Sequence, residues 1–261
     1  MCIRDRVIRM KVLLTGASSG IGKEMAKILN KKGYDLVLVA RDEEKLKDVK
    51  NELEKEKSKN NIEIISMDLS KEENCIELCK RVRNVDILIN NAGFGDCGNF
   101  TKTDLEKEIK MIKTNIVAYH ILMKEYLKEM KEKNSGKILN VASIAGFMPG
   151  PLMATYYATK SYVVKLSESV REELKKEKSN VKISILCPGP VETNFNKVAN
   201  VKFKIREANS QDVAKYAIKK MEQGKFYIVP GLDIKFAKIG AKIFPTNLVA
   251  KVCYMIQKRK I

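Results

Sequence analysis

The chain has 261 residues, 44% of them hydrophobic and 31% charged, which excludes a disordered polymer and leaves room for one large α/β domain. Its 50 basic and 32 acidic residues give a net charge of +18, which admits an anionic ligand, a nucleic acid or a lipid surface. The lysines are interleaved with glutamates, as in KLKDVKNELEKEKSKNN, and no stacking-aromatic stripe accompanies them, so they read as solvated helix faces rather than a nucleic-acid groove.

Residues 1–9, beginning MCIRDR, precede an obvious strand and read as an appended, non-native extension with the natural start at Met10. They carry charges where a secretory signal would be apolar, and no run reaches the roughly 18 apolar residues of a membrane span, so the cytoplasm is the expected compartment. From there strands and helices alternate. Buried parallel strands are predicted over residues 11–15, 35–40, 62–67, 85–90, 137–142, 182–187 and 226–229. Lysine- and glutamate-rich helical segments separate them, over 42–57 and, as one long helix, over 104–133. The pattern predicts an α/β fold, a single Rossmann-type doubly wound parallel sheet of about seven strands across residues 10–233. Residues 234–261 differ: IKFAKIGAKIFPTNLVAKVCYMIQKRKI is amphipathic and interrupted by Pro245. It reads as a helix pair covering the cleft or making a subunit contact, with a peripheral contact to anionic lipid as the sharper alternative. Six cysteines without a C-x-x-C pair, and the single His120, point away from zinc and disulfides and leave no metal site to assign. Cys75 and Cys79 lie one helical turn apart and read as small, half-buried apolar residues.

The first strand runs into LLTGASSGIGKEMAKIL, where Gly16, Gly20 and Gly22 permit a tight turn, close approach of backbone to a pyrophosphate, and close helix–strand packing. The helix that opens there offers unpaired N–H groups to an anion, which brings Ser18, Ser19 and Ile21 into the site. This spacing, with Thr15 before it, resembles the short-chain dehydrogenase/reductase family, and the resemblance can be followed to about Pro230. At the end of the second strand Ala40 stands where an acid would bond a ribose hydroxyl, and Arg41 follows. The resemblance implies NADP(H), with the guanidinium on the 2′-phosphate. Ser19 departs from the basic residue that many NADP-using relatives carry there. Asp42 reads as the cap of the next helix. Asp68 and Leu69 match the family's adenine-contacting pair, Asp68 also reading as the cap of a helix that begins near Lys71. NNAG, ending in Asn91, Ala92 and Gly93, matches the segment that approaches the cofactor.

The resemblance further implies a catalytic set of Asn115, Ser143, Tyr156 and Lys160, although Ala118 replaces a frequent family glycine. Reducing a carbonyl leaves an oxygen that needs a proton, and an unperturbed tyrosine, near pKa ~10, gives one up more readily beside an ammonium. Ser143 would hold the substrate oxygen, and Asn115 a water that renews the proton through Lys160. Helical spacing alone leaves Tyr156 and Tyr157 tied, since both neighbour Lys160. The family's Tyr-x-x-x-Lys selects Tyr156. After the sixth strand, Pro188, Gly189, Val191 and Thr193 match the segment that passes the nicotinamide, and residues 194–209 read as a substrate lid. Phe147, Met148, Leu152 and Met153 imply a hydrophobic carbonyl or alcohol as substrate. Family members assemble through the helices carrying Asn115 and Tyr156, so a homodimer or homotetramer is expected. The expected function is an NADP(H)-dependent carbonyl–alcohol oxidoreductase, with a catalytically silent NADP-binding sensor or scaffold as the alternative.

Overall fold

A computed structural model describes residues 9–56, 60–199 and 207–258. The extension expected over residues 1–9 therefore lies outside the described residues, save for Arg9, as does the centre of the expected lid, residues 200–206. Seven strands, β1 (Lys11–Thr15), β2 (Asp35–Ala40), β3 (Ile62–Ser66), β4 (Ile87–Asn90), β5 (Lys137–Val141), β6 (Lys182–Leu186) and β7 (Tyr227–Ile228), form one sheet. The strands run parallel in the order β3-β2-β1-β4-β5-β6-β7. Alternate residues of each strand serve two cores. Val12, Leu14, Leu36, Leu38, Ile87 and Ile89 face one side, and Leu13, Val37, Leu88, Ile138 and Ile183 the other. Burial on both faces is why the strands read as continuous apolar runs. Several strands are shorter than predicted: β4 begins at Ile87 rather than at residue 85, and β7 keeps two residues because it lies at the sheet edge with one neighbour.

On the first face pack α1 (Gly20–Lys31), α2 (Glu43–Glu54) and α8 (Ser210–Glu222), which contribute Met25, Leu29, Leu46, Val213 and Ile218 to the core; the four-residue α7 (Phe195–Val198) precedes α8 in the chain. On the second pack α3 (Glu72–Arg81), α5 (Ala118–Glu132) and α6 (Ala154–Lys176). Cys75 and Cys79 are buried in α3, and burial pushes both thiols up to about 12, as inert apolar packing requires. Asp42 caps α2 by accepting from the Lys45 N–H, and Asn209 caps α8 through the N–H groups of Gln211 and Asp212.

The single helix predicted over 104–133 is divided. α4 (Leu105–Ile112) passes through one π-helical turn, Lys113–Val117, into α5, and the N–H of Ala118 reaches back five residues to the Lys113 carbonyl. A single π turn changes local backbone hydrogen bonding and has no residue signature of its own, so helical spacing read over one long segment does not reveal it. It turns Asn115 fully inward. The tail forms α9 (Leu232–Ile243) and α10 (Thr246–Lys258), broken at Phe244–Pro245, where the proline ring forbids continuation.

Candidate active site

Strand order reverses between β3-β2-β1 and β4-β5-β6-β7, which opens a crevice at the carboxyl ends of the strands beside β1 and β4. A cleft of about 550 Å³ occupies it. Gly16, Ser18, Ser19, Gly20, Ile21, Arg41, Asp68, Leu69, Asn91, Ala92 and Gly93 line it, together with Ser143, Tyr156, Lys160, Pro188, Gly189, Val191 and Thr193. Two of the expected residues, Gly22 and Asn115, do not line the cleft and shape it from behind.

The glycine turn is tied to β4 by Thr15, whose hydroxyl accepts the N–H groups of Asn91 and Ala92 at 3.0 Å and donates to Ile89 O at 3.3 Å. The Asn91 amide donates to Thr15 O and Gly16 O, so its side chain holds the turn, while its backbone borders the cleft. Gly16 sits at φ 65, in the left-handed region, and a Cβ on Gly22 would stand 2.2 Å from Gly16 O, inside the turn's own backbone. Ser19 caps α1 without a side-chain hydrogen bond, which leaves the first-turn donors for an anion. Thr193 leans over this turn, 2.9 Å from where a Gly20 Cβ would be.

At the far end of β2, Arg41 borders the cleft together with Lys45, a cation the sequence reading missed. Its signal was present: Lys45 follows the capping Asp42 by one helical turn and bonds its carboxylate. Asp68 does not cap α3, whose cap position is Lys71. It instead accepts the N–H and hydroxyl of Ser70 at 3.1 and 2.9 Å, because α3 starts too late for its side chain to reach the first turn. Burial pushes the Asp68 carboxyl up, but those bonds and the charges of Lys110 and Arg41 outweigh it and hold the group below its ordinary range.

The wall that carries the residues expected to be catalytic is built by β5, α6 and the π turn. Ser143 lies two residues past the end of β5, at the cap of a 3-10 turn over Ile144–Phe147, and is buried; its hydroxyl accepts Ala145 N–H at 3.1 Å and makes only a long, 3.4 Å contact to Pro188 O, which leaves it able to turn to a ligand. Tyr156 lines the same cleft as Ser143, near enough for the serine hydroxyl to favour its ionised form. Tyr157 points elsewhere: it packs on Gly150, and its hydroxyl receives the Gln257 amide of α10. Lys160 is 4% exposed and donates to Val141 O at 2.9 Å. Its ammonium sits 5.9 Å from the Tyr156 ring centroid and 5.4 Å from that of Tyr119.

One expectation changes here. Burial pushes the Tyr156 phenol up to about 12, the Ser143 hydrogen bond acting weakly downward, so the phenol is not drawn toward neutrality in this arrangement. The reason is direction: Lys160 aims its charge at Val141 O and lies over the ring face rather than beside the phenol oxygen. Lys160 itself, desolvated without a carboxylate partner, is lowered from 10.5 to about 8. The Asn115 side chain ties two segments together. It donates to Phe94 O and Thr159 Oγ1 at 2.9 and 3.1 Å and accepts the Phe94 N–H at 3.1 Å, so it positions the loop after β4 against α6.

Val191 bridges to Ala208. The partners in that bridge are Pro190 O and Glu192 N–H, so Val191's own N–H turns to the opposite side, toward the cleft it lines. The substrate end is apolar. Met148 and Met153 line it as expected, but Phe147 packs into the core and Leu152, at φ 67, holds the Gly98 N–H through its carbonyl. Phe195, Val198, Ile234 and Ile256 complete the wall, and Phe195 lies 5.2 Å from the Tyr156 ring. Gln257 of α10 also lines the cleft, 1% exposed, and its Oε1 has no partner among the described residues. Phe195 and Val198 fall in the segment expected as a lid, and Ile234, Ile256 and Gln257 in the tail expected to cover the cleft; Gln257 meets Tyr157 from a hundred positions further along the chain.

The fold and cleft together define the doubly wound, dinucleotide-binding class. The short chain dehydrogenase family matches residues 10–202. An oxidoreductase of Staphylococcus aureus is 30% identical over 227 residues, 85% of this chain and 95% of that protein. A short-chain dehydrogenase from Sphingobium yanoikuyae, solved in complex with NADPH, superposes with TM-score 0.81 at 27% identity, covering 89% of this chain and 93% of that one. A bulky-bulky ketone specific alcohol dehydrogenase from Comamonas testosteroni gives TM-score 0.76 at 26% identity over the same shares. The chain belongs to the short-chain dehydrogenase/reductase family of oxidoreductases.

Proposed function

We propose that this oxidoreductase interconverts a hydrophobic carbonyl and its alcohol with NADP(H), Tyr156 acting as general acid in reduction and general base in oxidation. The observation that carries the reading is the meeting of Ser143, Tyr156 and Lys160 on one wall of a cleft whose opposite end carries the open α1 terminus, Arg41 and Lys45. This donor set fits NADP(H). The glycine turn would take the pyrophosphate, Asp68 and Leu69 the adenine, and Arg41 with Lys45 the 2′-phosphate. Lys160 would take the ribose, with Val191 and Thr193 beside the nicotinamide. Bound there, the cofactor supplies or accepts the hydride.

The protein's part is positioning and proton transfer. Ser143 turns its hydroxyl to the substrate oxygen and holds it against Tyr156. A phenol kept protonated to about 12 is a ready donor at neutral pH to an oxygen gaining negative charge. Lys160, at about 8, exchanges a proton near neutrality and would return it to the phenol through a bridging water, since its ammonium lies over the ring and not beside the phenol oxygen. Met148, Met153, Phe195 and Ile256 exclude water and favour an apolar substrate, in keeping with the bulky ketones of the Comamonas relative.

NADPH oxidation screened across carbonyl classes tests the reading. Turnover is expected with bulky apolar ketones or aldehydes. A preference for sugars would defeat the substrate class, and tight NADPH binding without any turnover would leave a silent sensor. Arg41→Ala is expected to weaken NADPH by about tenfold or more while NADH changes little, since only the 2′-phosphate loses a charge-assisted partner. Titration of both cofactors checks this, and equal losses would remove Arg41 from the 2′-phosphate.

A further inference from the structure

α9 is amphipathic in the wrong sense for a helix packed on a soluble protein. Leu232, Phe236, Ile239 and Ile243 recur on one stripe and are 71%, 71%, 52% and 72% exposed. Its inner face is anchored by a cation, Lys238, whose ammonium lies 3.1 Å from the Tyr227 ring centroid and 4.7 Å from that of Phe147. No residue of α9 is fully buried. α10 repeats the arrangement: Leu248, Val252 and Met255 face out, while Cys253 and Gln257 face in.

Beside α9 lies a second hollow of about 510 Å³, lined by Lys220, Lys225, Lys235, Lys238 and Lys242 and by no carboxylate. Glu168, which reaches Lys238 electrostatically, is already held by Tyr227 and Lys165. From Leu232 to the end, the chain carries six lysines and Arg259 against the single acid Asp233.

We propose that α9 and α10 dock this protein on an anionic lipid surface, the apolar stripes entering the acyl boundary and the lysine hollow receiving phosphate headgroups. A large exposed apolar patch marks an interaction surface, and the charge around it selects the partner. A second copy of the chain would bring two such basic faces together and repel, whereas an anionic membrane neutralises them and accepts the apolar stripe. Ile234, Ala237 and Ile256 of the same two helices line the catalytic cleft, so docking sets the substrate end of the cleft at the lipid boundary. That last consequence rests on the proposed function; lipid docking itself does not.

Full-length protein is sedimented with phosphatidylcholine vesicles and with vesicles that also contain phosphatidylglycerol. Retention on the anionic vesicles is expected to exceed that on the neutral ones by about tenfold or more and to fall with added salt. Phe236→Ser with Ile243→Ser, and separately Lys235→Glu with Lys242→Glu, is expected to weaken retention by about tenfold or more. Thermal midpoint and NADPH binding should not move, because these side chains are exposed. Absence of binding, equal binding to both vesicles, or variants that bind like the parent would overturn the proposal. A dimer split by the serine variant would overturn it in favour of a second copy. Thermal stabilisation by inorganic phosphate without vesicle binding would overturn it in favour of a soluble phosphate ligand. Because binding is read without catalysis, failure here is distinguishable from failure of the proposed reaction.

Discussion

Tyr156→Phe is expected to lower kcat for carbonyl reduction by about a thousandfold while NADPH affinity stays within a fewfold of the parent. The substitution deletes one hydroxyl and keeps the ring, which packs at 5.2 Å from Phe195 and 6.1 Å from Tyr157, so the cleft wall survives and only the proton is lost. Tyr157→Phe is the control. Its hydroxyl bonds Gln257 rather than Ser143, so its removal should alter KM through the α10 wall and leave kcat within a fewfold. Steady-state turnover and cofactor titration on the two variants decide the matter, and wild-type turnover in Tyr156→Phe would sink the mechanism.

Lys160→Met is expected to abolish most turnover and, in cofactor-free protein, to change how stability depends on pH. The Lys160 pKa falls from 10.5 in the unfolded chain to about 8 in the folded one. Between those values the unfolded state binds more protons, so this group's stabilising contribution is present above 10.5 and is lost as pH falls through 8. At ~1.4 kcal/mol per pKa unit, the parent carries a penalty of about 3 kcal/mol at pH 7 that the methionine variant lacks. Losing the donor to Val141 O offsets part of that gain at every pH. The difference in unfolding free energy between variant and parent should therefore shift by about 3 kcal/mol in the parent's favour between pH 7 and pH 10.5. Denaturant unfolding at both ends of that range measures it, and a flat difference would show that Lys160 is not desolvated.

Both predictions rest on tertiary detail that the sequence does not carry, although the residues themselves were legible. Alternation of apolar runs with lysine-rich helical segments marked all seven strands, because a parallel sheet covered on both faces leaves an unbroken apolar signature. The glycine turn was legible because its requirements are local backbone ones: a left-handed residue at Gly16 and no room for a side chain at Gly22. The cap at Asp42 was legible for the same reason, while the cap expected at Asp68 was not made, because α3 starts beyond its reach. The π turn at Lys113–Val117 stayed hidden, since it is one turn of altered backbone bonding with no residue signature of its own.

The choice of Tyr156 over Tyr157 rested on the family resemblance; what the sequence determined by itself is the order of elements, the glycine turn and the cap at Asp42. These depend on residues within a few positions of one another, where backbone sterics and helical period act directly. Only the tertiary structure decided what those groups face. Tyr156 and Tyr157 are adjacent in the chain, yet one meets Ser143 and the other Gln257, a hundred residues on. Lys160 is soft in charge because β5 and α6 close over it, and Asn115 is spent on Phe94 because the π turn aims it there. The outward stripe of α9 belongs to the same category. Its periodicity was written in the chain, but which side faces water was fixed by Lys238 settling on Tyr227 and Phe147, a contact between distant segments.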